Sequence, residues 1–82
     1  MKKENIEIIQ INISGEDKPG LTSSLTGILA CHDAFILDIG QSNIHRTMTL
    51  GILFMTTTER SGQIMKELLF KASEMNMTIR FE

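Results

Sequence analysis

Residues Ser14–Leu25 read SGEDKPGLTSSL and join an isoleucine-rich segment to a segment with helical spacing. Gly15, Pro19 and Gly20 stand within this short junction. Glycine and proline interrupt regular structure because one adopts unusual backbone angles and the other lacks an amide hydrogen. We therefore expect one element to end before this junction and a helix to begin just after it.

The segment before the junction has the pattern of a β-strand. Ile9, Ile11 and Ile13 share one face at a period of two, whereas Ile6 and Ile8 fall on the other face. Apolar residues on both faces predict a central strand or a bulge near Ile8.

Two segments have the apolar spacing of amphipathic helices. The first ends near His32 and carries the stripe Leu21, Leu25, Ile28 and Leu29. The second begins near Ser61, a candidate N-cap, and ends near Asn76, a residue suited to a left-handed C-cap. Its predicted inward residues are Ile64, Leu68, Leu69, Ala72 and Met75, and Glu67 and Lys71 are expected to pair on its exposed side.

Three further strands complete the predicted order. Residues 35–44 and 48–56 are rich in Ile, Leu and Phe, with a tight turn expected at 45–47. Met77, Ile79 and Phe81 alternate with polar residues in a last strand. The order β-α-β-β-α-β predicts an α+β ferredoxin-like sandwich, in which a four-stranded antiparallel sheet carries two helices on one face. Residues 1–82 form one domain, and its second strand lies at a sheet edge that favours a homodimer.

Composition excludes several classes of function. The chain has 8 basic and 10 acidic residues without a cationic cluster, which argues against nucleic acid as a partner. No apolar run is long enough to span a membrane and no signal peptide is present, so we expect a cytoplasmic protein. Cys31 is the only cysteine, which leaves no internal disulfide or cysteine-based zinc cluster, and no metal site is expected.

Two motifs carry a resemblance to a known family. DKPGL at Asp17–Leu21, followed by FILDIGQ at Phe35–Gln41, resembles an ACT domain, the small amino-acid-binding regulatory module. The resemblance covers about residues 6–82. Within the family, residues 13–54 are most similar to the N-terminal ACT domain of bacterial phosphoserine phosphatases, and small stand-alone ACT proteins share a similar strand.

The resemblance implies a regulatory piece of a larger enzyme. Phosphoserine phosphatases hydrolyse phosphoserine in a separate magnesium-dependent domain that begins with an Asp-x-Asp motif. The only aspartates here are Asp17, Asp33 and Asp38, so that motif is absent from this chain. We therefore expect no catalytic residue and no cofactor in this domain, with magnesium only in a separate one.

The junction also predicts a binding site. The first amides of a helix lack internal partners and carry partial positive charge, so those of Leu21 and Thr22 would bind a carboxylate. Pro19 is expected to preset the first turn of the helix, and Gly20 to leave no side chain between a ligand and these amides. The resemblance implies an amino acid, serine above all, held between this loop and the second strand of a paired subunit. Asp17, Asp38 and Gln41 are the side chains expected to complete that site.

Three alternatives remain open at this stage. The junction is equally well explained as a helix-capping turn that binds no ligand. The domain is otherwise a purely structural module that assembles subunits. An enzyme of the acylphosphatase kind would need an arginine and an asparagine in a phosphate cradle, and the loop contains neither.

Overall fold

The predicted fold is confirmed. The structure is a computed structural model that describes residues 5–82. Its elements are β1 (Ile6–Glu16), α1 (Leu21–Cys31), β2 (Phe35–Ile44), β3 (Thr47–Thr57), α2 (Thr58–Glu74) and β4 (Thr78–Phe81). The strands form one antiparallel sheet in the order β2-β3-β1-β4, which places β2 and β4 at its two edges.

The hydrophobic core lies between this sheet and the two helices. Alternate residues of the central strands face the helices, so that Ile11 pairs with Ile52 and Ile13 with Leu50. The buried apolar residues are Ile9, Ile11, Ile13, Leu21, Leu25, Leu29, Met48, Leu50, Ile52, Phe54, Ile64, Leu68, Ala72 and Met77.

The other surface of the sheet, which we call the open face, carries no helix. On β1 it comprises Ile8, Gln10, Asn12 and Ser14, and on β3 it comprises Thr49, Gly51, Leu53 and Met55. Ile8 is 61% exposed, whereas the neighbouring Ile9 is 8% exposed. Apolar residues on both faces of β1 therefore reflect its central position in the sheet, which was one of the two interpretations of the sequence.

The irregularity in the sheet lies elsewhere than the alternative at Ile8. β1 pairs with β3 without interruption from Ile6 to Glu16. The register of β2 against β3 shifts between Ile36 and Asp38. An extra residue in an edge strand is tolerated because only one neighbour has to accommodate it.

The helix ends correct two predictions. Gly20 is the N-cap of α1, with φ 82°, so Pro19 precedes the helix and does not occupy its first turn. α2 begins at Thr58 with Thr57 as N-cap, three residues before the predicted start at Ser61. Ser61 is buried and its hydroxyl donates to the carbonyl oxygen of Thr58 at 3.2 Å. The left-handed cap at Asn76 is confirmed by its φ of 56°.

The polar contacts that α2 makes also differ from prediction. Glu67 accepts hydrogen bonds from Gln63 at 2.9 Å and from the His32 ring at 2.8 Å, while Lys71 pairs with Glu74 at 2.8 Å. The expected Glu67–Lys71 pair is therefore not formed. The Gln63 amide, and after it the His32 ring, hold the pKa of Glu67 below its ordinary value of 4.5. Leu69, predicted to face inward, is 52% exposed.

Candidate functional site

The N-terminus of α1, which we call the mouth of the helix, has backbone amides that are available as hydrogen-bond donors. The Leu21 amide donates to the Lys18 carbonyl oxygen at 3.4 Å, and the first bond of the helix runs from the Ser24 amide to the Gly20 carbonyl oxygen at 2.9 Å. Between them, the amides of Thr22 and Ser23 have no acceptor among residues 5–82. These two donors carry the positive end of the helix dipole.

Gly20 is required by backbone geometry. Its φ of 82° lies in the region that side chains disfavour, and a Cβ added there would meet no atom within 4 Å. The predicted role of Gly20 was to keep a side chain away from the amides. The structure supplies a second reason for glycine, which is the positive φ, and it shows open space beside the Gly20 Cα.

A chain of side-chain hydrogen bonds joins the junction to β2. The Thr22 hydroxyl donates to Gln41 Oε1 at 3.3 Å, and Gln41 Nε2 donates to Asn43 Oδ1 at 2.9 Å. Asn43 Nδ2 then donates to Asp17 Oδ2 at 2.8 Å. Three predicted site residues, Asp17, Thr22 and Gln41, therefore lie in one network at the surface.

Asn43 is the member of the network that the sequence interpretation missed. It lies two residues beyond Gln41, and alternate residues of a strand share a face. Gln41 stands opposite Leu50 and Asn43 opposite Met48, both of which face the helices. The period of two, applied from Gln41 onward, was the signal that could have found it.

Asp38 lies apart from this network. It stands opposite Leu53 on the open face, and its Oδ1 accepts a hydrogen bond from the Ile39 amide at 2.9 Å. Gln41 lies three positions after Asp38, and an odd offset places side chains on opposite faces of a strand. The structure therefore does not bring these two predicted residues together.

The network stands beside a shallow depression of about 450 Å³ lined by Glu16, Asp17, His45 and Arg46. The Asp17 amide donates to the Arg46 carbonyl oxygen at 2.8 Å, which ties the junction to the β2–β3 turn. Anionic and cationic side chains both line this space, which has the volume of a small-molecule site.

The same residues lie close to the free edge of β2. Leu37 and Ile39 are each 43% exposed and Ile44 is 71% exposed, so the edge itself is apolar. An exposed apolar edge strand is a surface prone to pair with another chain. The polar network and this exposed edge thus belong to the same strand.

Within residues 5–82, no group of three or more His, Cys, Asp or Glu side chains is arranged to hold a metal ion. No helix in that range is long and apolar enough to cross a membrane.

Solved structures share the fold at low sequence identity. A formyltetrahydrofolate deformylase from Burkholderia mallei is 14% identical with a TM-score of 0.80, over 92% of this chain and 27% of that one. A putative glycine cleavage system transcriptional repressor is 14% identical with a TM-score of 0.88, over 94% of this chain and 45% of that one. The ACT domain of the GTP pyrophosphokinase of Chlorobium tepidum is 23% identical with a TM-score of 0.67, over 94% and 86%.

These likenesses establish the fold, and the chain spans between 27% and 52% of the first three solved structures it matches. A comparison with curated proteins finds no significant match. The profile of the ACT domain family, in contrast, matches residues 7–82. Together with the βαββαβ order and the junction described above, that match shows that this chain belongs to the ACT domain family of regulatory domains.

Proposed function

We propose that this domain binds a small amino acid at the mouth of α1, beside the edge at which a second copy pairs. The observation that carries the proposal is the network from Thr22 through Gln41 and Asn43 to Asp17, which lies next to two amides without acceptors. The network presents donors and an anionic acceptor on one surface.

The two ends of an amino acid need opposite partners. The carboxylate would accept from the amides of Thr22 and Ser23 at the positive end of α1. The ammonium group would donate to the Asp17 carboxylate by a charge-assisted bond. Gln41 and Asn43, whose amides both donate and accept, would take a polar side chain such as the serine hydroxyl.

Pairing through β2 would connect this site to assembly. Antiparallel pairing of two β2 edges would extend the sheet to eight strands and bring a second Gln41 and Asn43 near the seam. A ligand that contacts both copies stabilises the dimer by mass action, and the dimer in turn raises affinity for the ligand. This reciprocity would give the domain its regulatory effect.

The parent protein is proposed from the motif resemblance. FILDIGQ and DKPGL, within residues 13–54, resemble the N-terminal ACT domain of bacterial phosphoserine phosphatases, and we propose an enzyme of that kind as the parent. In such an enzyme, serine is the product, and phosphoserine hydrolysis belongs to a separate magnesium-dependent domain. The present chain would then be its amino-acid sensor.

Paired substitutions test the site. Titration calorimetry with serine is expected to give saturable heat that Asp17→Asn weakens about tenfold or more, as loss of a charge-assisted bond implies. Asp38→Asn is the matched control, since it removes the same charge from the opposite face of β2. Serine binding that Asp38→Asn weakens and Asp17→Asn does not would contradict the network assignment, and no heat across a panel of amino acids would remove the binding function.

A second candidate is a module that only assembles subunits, which the apolar edge of β2 favours. Ile44→Lys, at a side chain that is 71% exposed, is expected to convert a dimer to a monomer in sedimentation experiments, because it buries a charge at the pairing edge. Ile8→Lys is the control, since Ile8 is 61% exposed on β1, an inner strand that lies away from the β2 edge. Dimers that persist in Ile44→Lys would exclude pairing through this edge. Dimers without ligand heat would favour the assembly role.

A further inference from the structure

A second surface lies at the opposite edge of the sheet, between α2 and β4. It is a groove of about 530 Å³ lined by Lys66, Leu69, Phe70, Ser73, Met77 and Ile79. Leu69 is 52% exposed and Phe70 is 68% exposed, although both lie on a helix whose other face is fully buried. Two large apolar side chains at one groove form a typical interaction surface.

The backbone of β4 beside this groove has free hydrogen-bonding groups. Gln10 and Glu82 exchange hydrogen bonds of 3.3 and 2.8 Å, and bonded pairs in antiparallel strands recur every second residue. Arg80 and Thr78 therefore point their amides and carbonyls toward β1, whereas those of Ile79 and Phe81 point away from it. Because β4 is an edge strand of the sheet that residues 5–82 form, no described strand lies beside these outward groups. The outward amides and carbonyls of Ile79 and Phe81 are arranged to form hydrogen bonds with an added extended segment.

Two basic side chains flank the β4 edge, one on each face of the sheet. Lys66 lines the groove and Arg80 lies on the open face of β4, and neither forms an ion pair with any residue in 5–82. The nearest carboxylate along β4, that of Glu82, accepts a hydrogen bond from the Asn12 side chain. A second copy paired through β4 would bring another Lys66 and Arg80 to the same seam, where like charges repel. The charges therefore favour an acidic partner over a second copy.

We propose that this groove and the β4 edge together bind an extended segment of a partner protein in which apolar and acidic residues alternate. The segment would add a strand to the sheet at Ile79 and Phe81 by main-chain hydrogen bonds. Its apolar side chains would contact Leu69 and Phe70 on the helix side. Its acidic side chains would face Arg80 on the open face. This surface is separate from the amino-acid site, which lies at the β2 edge.

The test uses two synthetic hexapeptides, one alternating valine with glutamate and one alternating valine with lysine. In NMR titration of the labelled chain, the glutamate peptide is expected to shift the amide signals of Leu69, Phe70, Ile79 and Phe81 in a saturable way. It should bind at least about fivefold more tightly than the lysine peptide, as unpaired basic groups at a rim imply. Bound peptide should also slow the hydrogen exchange of the Ile79 and Phe81 amides.

Substitutions locate the contact. Phe70→Ser is expected to weaken the glutamate peptide about tenfold, because it removes the most exposed apolar side chain of the groove. Arg80→Glu should abolish the preference for glutamate over lysine. Ile8→Ser, at an apolar side chain of similar exposure on the open face, should leave binding unchanged.

Four outcomes would overturn the proposal. They are equal binding of the two peptides, shifts confined to the β2 edge, an absence of saturable shifts, or dimers whose Ile79 and Phe81 amides are protected without peptide. The last outcome would assign the groove to a second copy. None of these results depends on serine binding, so the two proposals fail independently.

Discussion

Replacing Phe54 with alanine is expected to lower the free energy of unfolding by about 3–5 kcal/mol, the usual cost of deleting a buried phenyl ring. Phe54 is the largest fully buried side chain in the domain, and it stands in the sheet between Ile9 of β1 and Ile36 of β2. A domain of 82 residues has a thin core, and such domains often have little more stability than this to lose. We expect a largely unfolded protein at 37 °C.

Urea denaturation followed by circular dichroism measures this effect. Phe70→Ala is the matched control because the same side chain is removed from a position that is 68% exposed, and the expected loss is about 0.5 kcal/mol or less. Comparing the losses of unfolding free energy in the two variants separates the effect of burial from the effect of residue type. Equal losses in the two variants would mean that Phe54 does not lie in the core as described.

Replacing Gly20 with valine is expected to affect both folding and binding. The φ of 82° at this position costs a side-chain-bearing residue roughly 1–2 kcal/mol, and a β-branched residue more. The new side chain would also stand in the open space in front of the Thr22 and Ser23 amides. The heat of serine binding in titration calorimetry should therefore disappear, although the chain is still mostly folded at low temperature.

A second glycine in the same helix supplies the control for this prediction. Gly27 lies within α1, and like Gly20 it has no atom within 4 Å of an added Cβ. Gly27→Ala should raise the free energy of unfolding by about 0.5–1 kcal/mol, because alanine favours the helical backbone. Gly20→Ala should lower it, although the chemical change and the surrounding space are alike.

Thermal unfolding of the two alanine variants measures the backbone strain at Gly20. Calorimetry on Gly20→Val measures whether the new side chain blocks serine binding. A stabilised Gly20→Ala would show that this residue does not require a positive φ. Serine binding retained in Gly20→Val would show that the ligand does not use the mouth of α1.

The resemblance and the periodicities predicted the fold almost completely. The order of elements, the bounds of β2 and the central position of β1 follow from local patterns, because apolar residues recur at two in strands and near 3.6 in helices. The same patterns misjudged the start of α2, where Ser61 has the residue type of an N-cap yet is buried one turn inside the helix. Leu69 was misjudged because a helical stripe does not reveal how wide the covering sheet is.

The candidate site was predicted in part. Asp17, Thr22 and Gln41 were identified from the junction and the family motif, and they share one hydrogen-bonded network. Asn43 was not named, and Asp38 lies on the face of β2 opposite to Gln41. Both placements follow from the alternation of side chains along a strand.

The order of residues alone was enough to establish the βαββαβ arrangement, the turn at Gly20 and the absence of an Asp-x-Asp motif, because each depends on neighbours in the chain. Tertiary packing decided which polar groups meet across the Gln41–Thr22 and Asn43–Asp17 contacts, which join residues 19 and 26 positions apart. It also decided that Leu69 and Phe70 stay uncovered beside β4. Contacts between distant residues and the exposure of a helix face depend on how the elements are stacked, and no local pattern encodes that stacking.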